Sequence, residues 1–250
     1  MRALRVLLVI AIVLGGLFVA ADRVGVMLAE DQAAGKIKSS QGVAEAGDVS
    51  VDITGFPFLT QVASKDLTKV DAHLSGITAG SGEESLRISE VNASFHDVRL
   101  GADYSSAVAD RADGTATVSY DELSKAAGKG ETKKLMLGST AKLSGISYGG
   151  PGRVNIGIRV DTPMGGKTVT IPARLSVEGG TVRTRTEGTA WDKFEKLPLI
   201  GGRAEEWLRE ITDFKKKIGG LPDGLALDKV QPTDKGVEFT VTGKDVNLTG

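Results

Sequence analysis

The chain contains no cysteine, only two histidines and 5% aromatic residues, and these shortages exclude several classes of protein. Without cysteine there is neither a disulfide framework nor a thiol for attachment of a lipid anchor. His73 and His96 lie within strand patterns at positions that predict exposure on the surface. Few side chains are therefore left for a metal centre or a His-based nucleophile, and we expect no metal, no cofactor and no enzyme.

The chain also lacks an excess of positive charge. Its formal net charge is −1, and it becomes −3 without Arg2 and Arg5, the two arginines of the N-terminal segment. Because broad nucleic-acid surfaces need a clear basic excess, we expect no nucleic-acid partner.

Charged residues are absent from one long N-terminal run, Val6 to Ala21, which follows Arg2 and Arg5. As a helix it would span roughly 24 Å, against ~30 Å for the hydrocarbon core of a bilayer. The positive-inside rule places the arginines in the cytoplasm and the rest of the chain outside. Residues 1–21 are predicted as a signal peptide cut near Ala21 or a retained signal anchor. Residues 22–250 are predicted as a single extracytoplasmic domain in the cell envelope.

Two amphipathic helices are predicted in that domain. Residues 22–40 carry an apolar stripe that includes Val24, Met27 and Leu28, and such a stripe usually packs on a domain. A second helix is predicted from Gly202 to Ile218, ending in Lys215, Lys216 and Lys217. Its apolar positions are Ala204, Trp207, Leu208, Ile211, Phe214 and Ile218.

Most of the remaining chain alternates between apolar and polar residues with the period of a strand, most regularly from Val169 to Val177. The alternation changes parity near Ser89-Glu90 and near His96-Asp97. Since side chains alternate along a strand, each change predicts a bulge or break, and bulges bend a sheet. We therefore expect a strongly curved sheet.

The apolar face of this sheet exceeds what the helices can cover. About nine strands at ~4.8 Å spacing make a sheet roughly 43 Å wide, whereas two helices of about 10–12 Å cover about half of it. Either the sheet folds on itself as a packed sandwich, or it curls around a helix and leaves an apolar groove. The loop Gly55 to Thr60 adds Phe56, Phe58 and Leu59. Either Phe56 and Phe58 plug the end of the core, or the loop forms the rim of such a groove or a wedge that enters the headgroup layer.

Three segments resemble a known family. They are ITGFPFLTQ (Ile53 to Gln61), TVSYDELSKAA (Thr117 to Ala127) and LPDGLALDKVQPTDKGVEFTVTGKDVNL (Leu221 to Leu248). Together they are similar to the LmeA-like phospholipid-binding proteins of the actinobacterial envelope. The resemblance implies a tubular lipid-binding fold, in which a long curved antiparallel sheet wraps a helix, and phosphatidylinositol as a ligand. It implies no catalytic residues.

We therefore expect an α+β fold in which a long, strongly curved antiparallel sheet wraps one or two amphipathic helices and leaves a lipid-binding groove. The expected function is to hold or transfer a phospholipid in the envelope, at a membrane surface. The alternative is a non-catalytic scaffold with a fully packed β-sandwich, and a lipid hydrolase is the third possibility. The oligomeric state stays open. The expected groove residues are Val24, Met27, Leu28, Phe56, Phe58, Leu59, Ile171, Leu175, Trp207, Leu208, Ile211 and Phe214.

Overall fold

The fold was obtained as a computed structural model, which describes residues 2–39, 47–79, 85–128, 131–135, 138–186, 215–217 and 221–248. Three helices and twelve strands occur in these ranges. The helices are α1 (Arg2–Ser39), α2 (Phe58–Ser64) and α3 (Tyr120–Ala126). The strands are β1 (Asp48–Thr54), β2 (Asp66–Ala79), β3 (Leu86–Leu100), β4 (Ala107–Val118), β5 (Thr132–Lys134), β6 (Thr140–Tyr148), β7 (Arg153–Thr162), β8 (Gly165–Glu178), β9 (Thr181–Thr186), β10 (Lys215–Lys217), β11 (Leu225–Pro232) and β12 (Val237–Asn247).

The strands form two antiparallel sheets of six. The first has the order β1-β2-β3-β4-β12-β11 and the second the order β10-β9-β8-β7-β6-β5. One of the two sheets is strongly curled, like half of a barrel. The predicted fold class, curved antiparallel sheet with an apolar N-terminal helix, is confirmed. The strands are nevertheless divided between two sheets, where the sequence suggested one long sheet.

The ladder of the first sheet is interrupted at one level. Register passes from His96 opposite Lys69 to Val98 opposite Leu67, so Asp97 has no regular partner. The same level is skipped at Asp110 and at Asp245 in the neighbouring strands. Asp97 and Asp245 have positive φ angles of 52° and 49°. Because β2, β3, β4 and β12 each skip one residue at this level, the apolar parity changes without a change of register among these four strands.

This interrupted level confirms the parity change expected near His96-Asp97. Phe95 and Val98 lie three residues apart on β3, yet both belong to one apolar cluster. The second expected change, near Ser89-Glu90, is also present, because register passes over Ser89 and Gly76, whose φ is +63°. Glycine adopts this conformation without the steric cost that other residues incur there.

The second sheet is a meander whose inner positions alternate with exposed ones. Val154, Ile156, Ile158 and Val160 are all buried along β7. They pack with Ile171 and Ala173 of β8 and with Leu227, Val230 and Val237 of the first sheet. We call this set, with its other buried members, the far cluster. The two sheets are therefore held together through the far cluster, at β11 and β12.

Helix α3, which lies in the TVSYDELSKAA segment, connects the two sheets by hydrogen bonds. Ser119 caps it by accepting the Glu122 N–H at 3.3 Å. Tyr120 Oη donates to the Thr233 carbonyl at 2.6 Å, between β11 and β12, and burial raises the pKa of Tyr120 to about 12. The buried Ser124 hydroxyl accepts the Ile146 N–H of β6 at 2.7 Å. A helix of two turns thus fixes β6 to the first sheet.

Two expectations about the helices are wrong. Lys215–Lys217 do not end a helix but pair as β10 with Thr181, Val182 and Arg183 of β9, because a sheet edge offers these residues backbone partners. The stripe Val24, Met27 and Leu28 is not the packed face of α1, since these side chains are 57%, 62% and 57% exposed. Polar contacts orient this helix instead, as described below. Residues 202–214 of the second predicted helix lie outside the described part of the chain.

We predict that Ser124→Ala lowers the free energy of unfolding by about 1–3 kcal/mol, because the Ile146 N–H loses its acceptor. Ser64→Ala is the matched control, since the Ser64 hydroxyl is exposed and bonds only within α2. We expect that change to stay within about 0.5 kcal/mol. Equilibrium urea unfolding of the full chain in detergent micelles measures both. Equal midpoints for the two variants would contradict the role given to Ser124.

Candidate functional site

The apolar run of α1 meets the rest of the domain at Asp22, the first residue after that run. The Asp22 side chain is fully buried. Its Oδ1 accepts the Leu59 N–H at 2.8 Å. Leu59 lies in the first turn of α2, where N–H groups have no partner inside the helix. Pro57 stands at the capping position of α2 and makes no side-chain capping bond. Asp22 therefore caps α2 from a different helix.

The charge of Asp22 is stabilised at this junction. Burial by itself raises the pKa of Asp22, but the Leu59 N–H, the Arg23 guanidinium and the Phe58 N–H together lower it below its usual value. Arg23 Nη2 lies 2.7 Å from Asp22 Oδ2. Arg23 also lies over the ring of Phe56, 5.3 Å from its centroid. The carboxylate is thus ionised at neutral pH and is bound on both oxygens.

The remaining residues of the GFPFLTQ segment divide between core and surface. Phe58 is buried together with Val26 of α1, Leu67, Val98 and Ala109, in a set that we call the near cluster. Phe56 and Leu59 are 60% and 37% exposed. Farther along α1, Glu30 Oε1 accepts the Ile53 N–H of β1 at 2.8 Å. Asp22 and Glu30 are eight residues apart, so two carboxylates on one side of α1 fix its rotation and leave Val24, Met27 and Leu28 outward.

Between the near and far clusters, one face of the first sheet carries small side chains. Ala72 lies opposite Ala93, and Ala93 lies opposite Gly114, so one level of three strands has almost no side-chain volume. Larger side chains border this level, with Phe95 on one side and Val91 on the other. We call Ala72, Ala93 and Gly114 with these borders the trough. At ~4.8 Å between strands it extends over about 10 Å across the sheet.

Several apolar side chains around the trough are only partly covered. Val70, Val91, Ala93, Phe95 and Ala116 are all of intermediate exposure, whereas Ala72 in the trough is buried at 8% exposure. The far cluster differs, because Ile158 and Ala173 in it are 0% exposed. One half of the interior is therefore closed by the second sheet, and the other half keeps accessible apolar surface.

The structure distributes the expected groove residues over several places. Phe58 lies in the near cluster, while Ile171 and Leu175 lie in the far cluster. Val24, Met27 and Leu28 are exposed on α1, beside the α2 junction that holds Phe56 and Leu59. The expected residues Trp207, Leu208, Ile211 and Phe214 lie outside the described part of the chain.

The polar groups of the first sheet do not form a reactive constellation. A cleft of about 290 Å³ at the interrupted level is lined by Asp66, Leu67, Thr68, Asp97, Arg99 and Asp110. Asp110 Oδ1 lies 2.7 Å from Arg99 Nη2, at ion-pair distance but without hydrogen-bond alignment. His73 and His96 are partly exposed, beside Asn92 and Asp113 respectively. In the described residues, no group of three or more His, Asp or Glu could hold a metal ion.

Two features of this region were missed from the sequence. Asp22 looks like the polar end of an apolar run, and only the fold brings it to α2. The trough needs the register of β2, β3 and β4, because Ala72, Ala93 and Gly114 are unremarkable within their own strands. The one sequence signal for the capping role of Asp22 was Pro57, because this residue at the capping position leaves α2 without a capping side chain of its own.

Comparison with known proteins gives one match. A family model described as LmeA-like phospholipid-binding matches residues 20–242. No curated protein and no solved structure matches the chain significantly. The matched range begins just before Asp22 and contains both the GFPFLTQ and TVSYDELSKAA segments.

We predict that Asp22→Ala speeds hydrogen exchange at the Leu59 amide, because that N–H loses its only described acceptor. Asp31→Ala is the control, since Asp31 is exposed on the same helix. Hydrogen–deuterium exchange of the full chain in micelles measures both, peptide by peptide. Unchanged protection of residues 58–64 in Asp22→Ala would contradict the capping role.

Proposed function

This chain belongs to the LmeA-like phospholipid-binding family, and we propose that it holds a phospholipid in the cell envelope with the acyl chains against the trough. The single observation that carries this placement is the partly covered apolar face of the first sheet, between two apolar clusters. The family is a phospholipid-binding one, and the role we propose is non-catalytic.

The trough suits acyl chains for steric and energetic reasons. Its small residues leave space above the sheet, and Val70, Val91 and Phe95 offer apolar walls. Burial of each methylene contributes ~0.8 kcal/mol, so a chain of about sixteen carbons contributes on the order of 10 kcal/mol before association costs. No polar side chain is required to retain such a ligand. The headgroup, phosphatidylinositol included, is not specified by any residue around the trough.

The exposed surface of α1 offers a continuation of this apolar path. Val24, Met27 and Leu28 flank Gly25 in sequence, and Gly25 lies against Leu59 at the end of the domain that faces the apolar run. We infer that lipid enters or leaves at this end, where the bilayer is closest, and that the protein transfers or presents lipid to other envelope components. Trp207, Leu208, Ile211 and Phe214 stay predictions for the opposite wall.

The scaffold alternative depends on a closed interior. The side chains of the far cluster are buried, which favours a purely structural role for the second sheet. The trough is only partly covered, which favours lipid binding by the first sheet. The lipid-binding function therefore predicts a bound apolar ligand in the purified protein, whereas the scaffold function predicts none.

We predict that native mass spectrometry of the protein purified from membranes detects bound phospholipid, and that Ala93→Phe lowers lipid occupancy by at least about threefold by filling the trough. Thr115→Phe is the matched control, because Thr115 follows Gly114 on β4 and points to the other face. Circular dichroism establishes that both variants fold. No copurifying lipid and no uptake of added phospholipid by the unaltered protein would overturn the function. Equal occupancy in folded Ala93→Phe and Thr115→Phe would overturn the trough as its site.

We also propose that residues 1–21 are retained as an anchor. The described part of α1 includes one segment long and apolar enough to cross a membrane, a property shared by signal sequences. Helix α1 continues through Ala21 and Asp22 without interruption. Asp22, the residue next to the predicted cleavage point, is buried and accepts the Leu59 N–H, so the residue that follows the apolar run is part of the packed domain.

Intact-protein mass spectrometry of the membrane fraction should therefore find residues 1–21 still attached. A mature chain that begins at Asp22 would show instead that the segment is a signal peptide.

A further inference from the structure

Several elements of the first sheet end on the side where α1 leaves its apolar run. Asp22 joins this end to α2, and the Leu100 N–H donates to the Lys65 carbonyl at 2.8 Å. The loop from Gly101 to Ser106, between β3 and β4, therefore lies beside the C-terminus of α2. We call the exposed side chains of this end, Arg23, Phe56, Leu59, Lys65 and Tyr104, the membrane-side rim.

The membrane-side rim pairs its aromatic rings with cations. Arg23 lies 5.3 Å from the centroid of Phe56, and Lys65 lies 5.4 Å from the centroid of Tyr104. Phe56 and Tyr104 are 60% and 51% exposed. Lys65 Nζ also donates to the Ala102 carbonyl at 2.9 Å, which holds its long side chain along the loop. Aromatic residues beside lysine or arginine are typical of the membrane–water interface.

Helix geometry places the rim at the level of the lipid headgroups. A side chain at Gly25 would contact Leu59 Cδ2 at 3.2 Å, so Leu59 lies level with Gly25. At 1.5 Å per residue, Gly25 is only about 6 Å beyond Ala21. The headgroup layer on each side of a bilayer is about 5–8 Å thick. A helix that emerges there carries the rim inside that layer.

The length of the apolar run strengthens this placement. Val6 to Ala21 covers roughly 24 Å, about 6 Å less than a typical hydrocarbon core. A transmembrane segment that is shorter than the hydrocarbon core brings the residues next to it closer to that core. An isolated charge at Asp22 would oppose this movement toward the hydrocarbon core. The Leu59 N–H of α2 and the Arg23 guanidinium bind the Asp22 carboxylate, however, and the side chain is buried. Val24, Met27 and Leu28 continue the apolar surface by one more turn.

Charge does not select the occupant. Asp103 lies in the same loop as Tyr104, and its carboxylate accepts the Ser105 N–H at 3.1 Å and the Ser105 hydroxyl at 2.8 Å. With Asp22 bound to Arg23 and Asp66 also at this end, three carboxylates outnumber the two cations of the rim. Apolar and aromatic contacts must therefore supply the attraction between the rim and the bilayer. Phospholipids of any headgroup charge can make these contacts.

We propose that the membrane-side rim is seated in the headgroup layer of the leaflet from which α1 emerges, and so holds the domain in one orientation with the entrance of the trough toward the lipid. The inference rests on the proposed anchoring by α1, and it does not require that the trough binds lipid.

The absence of cysteine allows a direct test by site-directed spin labelling of the full chain in phosphatidylcholine vesicles. Thr60→Cys and Ala102→Cys place labels beside Leu59 and Tyr104 without removing either. Leu14→Cys reports the apolar run. Lys235→Cys is the distant control, because Lys235 precedes β12, whose 11 residues extend roughly 35 Å toward the rim.

We expect labels at Thr60 and Ala102 to be at least about threefold less accessible to a nickel chelate than the label at Lys235, since polar reagents are excluded from the interface. The double change Phe56→Ser and Tyr104→Ser should return the Thr60 label to the accessibility of Lys235 and leave Leu14 unchanged. Adding anionic lipid or salt should alter neither result.

The outcomes separate the two proposals. A water-accessible label at Leu14 would overturn the anchoring, and the rim inference with it. A protected label at Leu14 with fully accessible labels at Thr60 and Ala102 would overturn the rim inference alone. Protection of Thr60 that persists in the double variant would show that the rim side chains are not its cause.

Discussion

One interrupted level in the ladder decides which side chains of the first sheet face its interior. Asp97, Asp110 and Asp245 occupy this level in three neighbouring strands, and the regular pairing passes over all of them. Because β2, β3, β4 and β12 skip this level together, their hydrogen-bonded register is kept while the apolar side changes parity. Side chains on both sides of the level, such as Phe95 and Val98, then face the same interior. The near cluster follows from this arrangement.

A second constraint joins that sheet to α1. Two carboxylates, Asp22 and Glu30, accept backbone N–H groups from α2 and β1. Hydrogen bonds to charged acceptors are stronger than neutral ones, so these contacts outweigh the apolar stripe in deciding which side of α1 faces the domain. The stripe is consequently left outward and exposed.

Features of the fold that depend on neighbouring residues can be predicted from the sequence, whereas features that depend on contacts between distant residues cannot. The parity changes near Ser89 and Asp97 were readable because alternation is a local signal. The orientation of α1 was predicted wrongly, because a hydrophobic stripe is visible in the sequence whereas a capping bond from Asp22 to Leu59 spans 37 positions. Lys215–Lys217 were assigned to a helix from the pattern before them, and pairing with β9 decides otherwise. The trough follows from inter-strand register, which periodicity alone does not supply.

The edges of the second sheet have a consequence for contacts between copies of the protein. Its outermost strands are the three-residue β5 and β10, and each carries lysines. Short, lysine-bearing edges resist the addition of a foreign strand. These edges therefore oppose polymerisation by strand addition, even where two copies lie side by side.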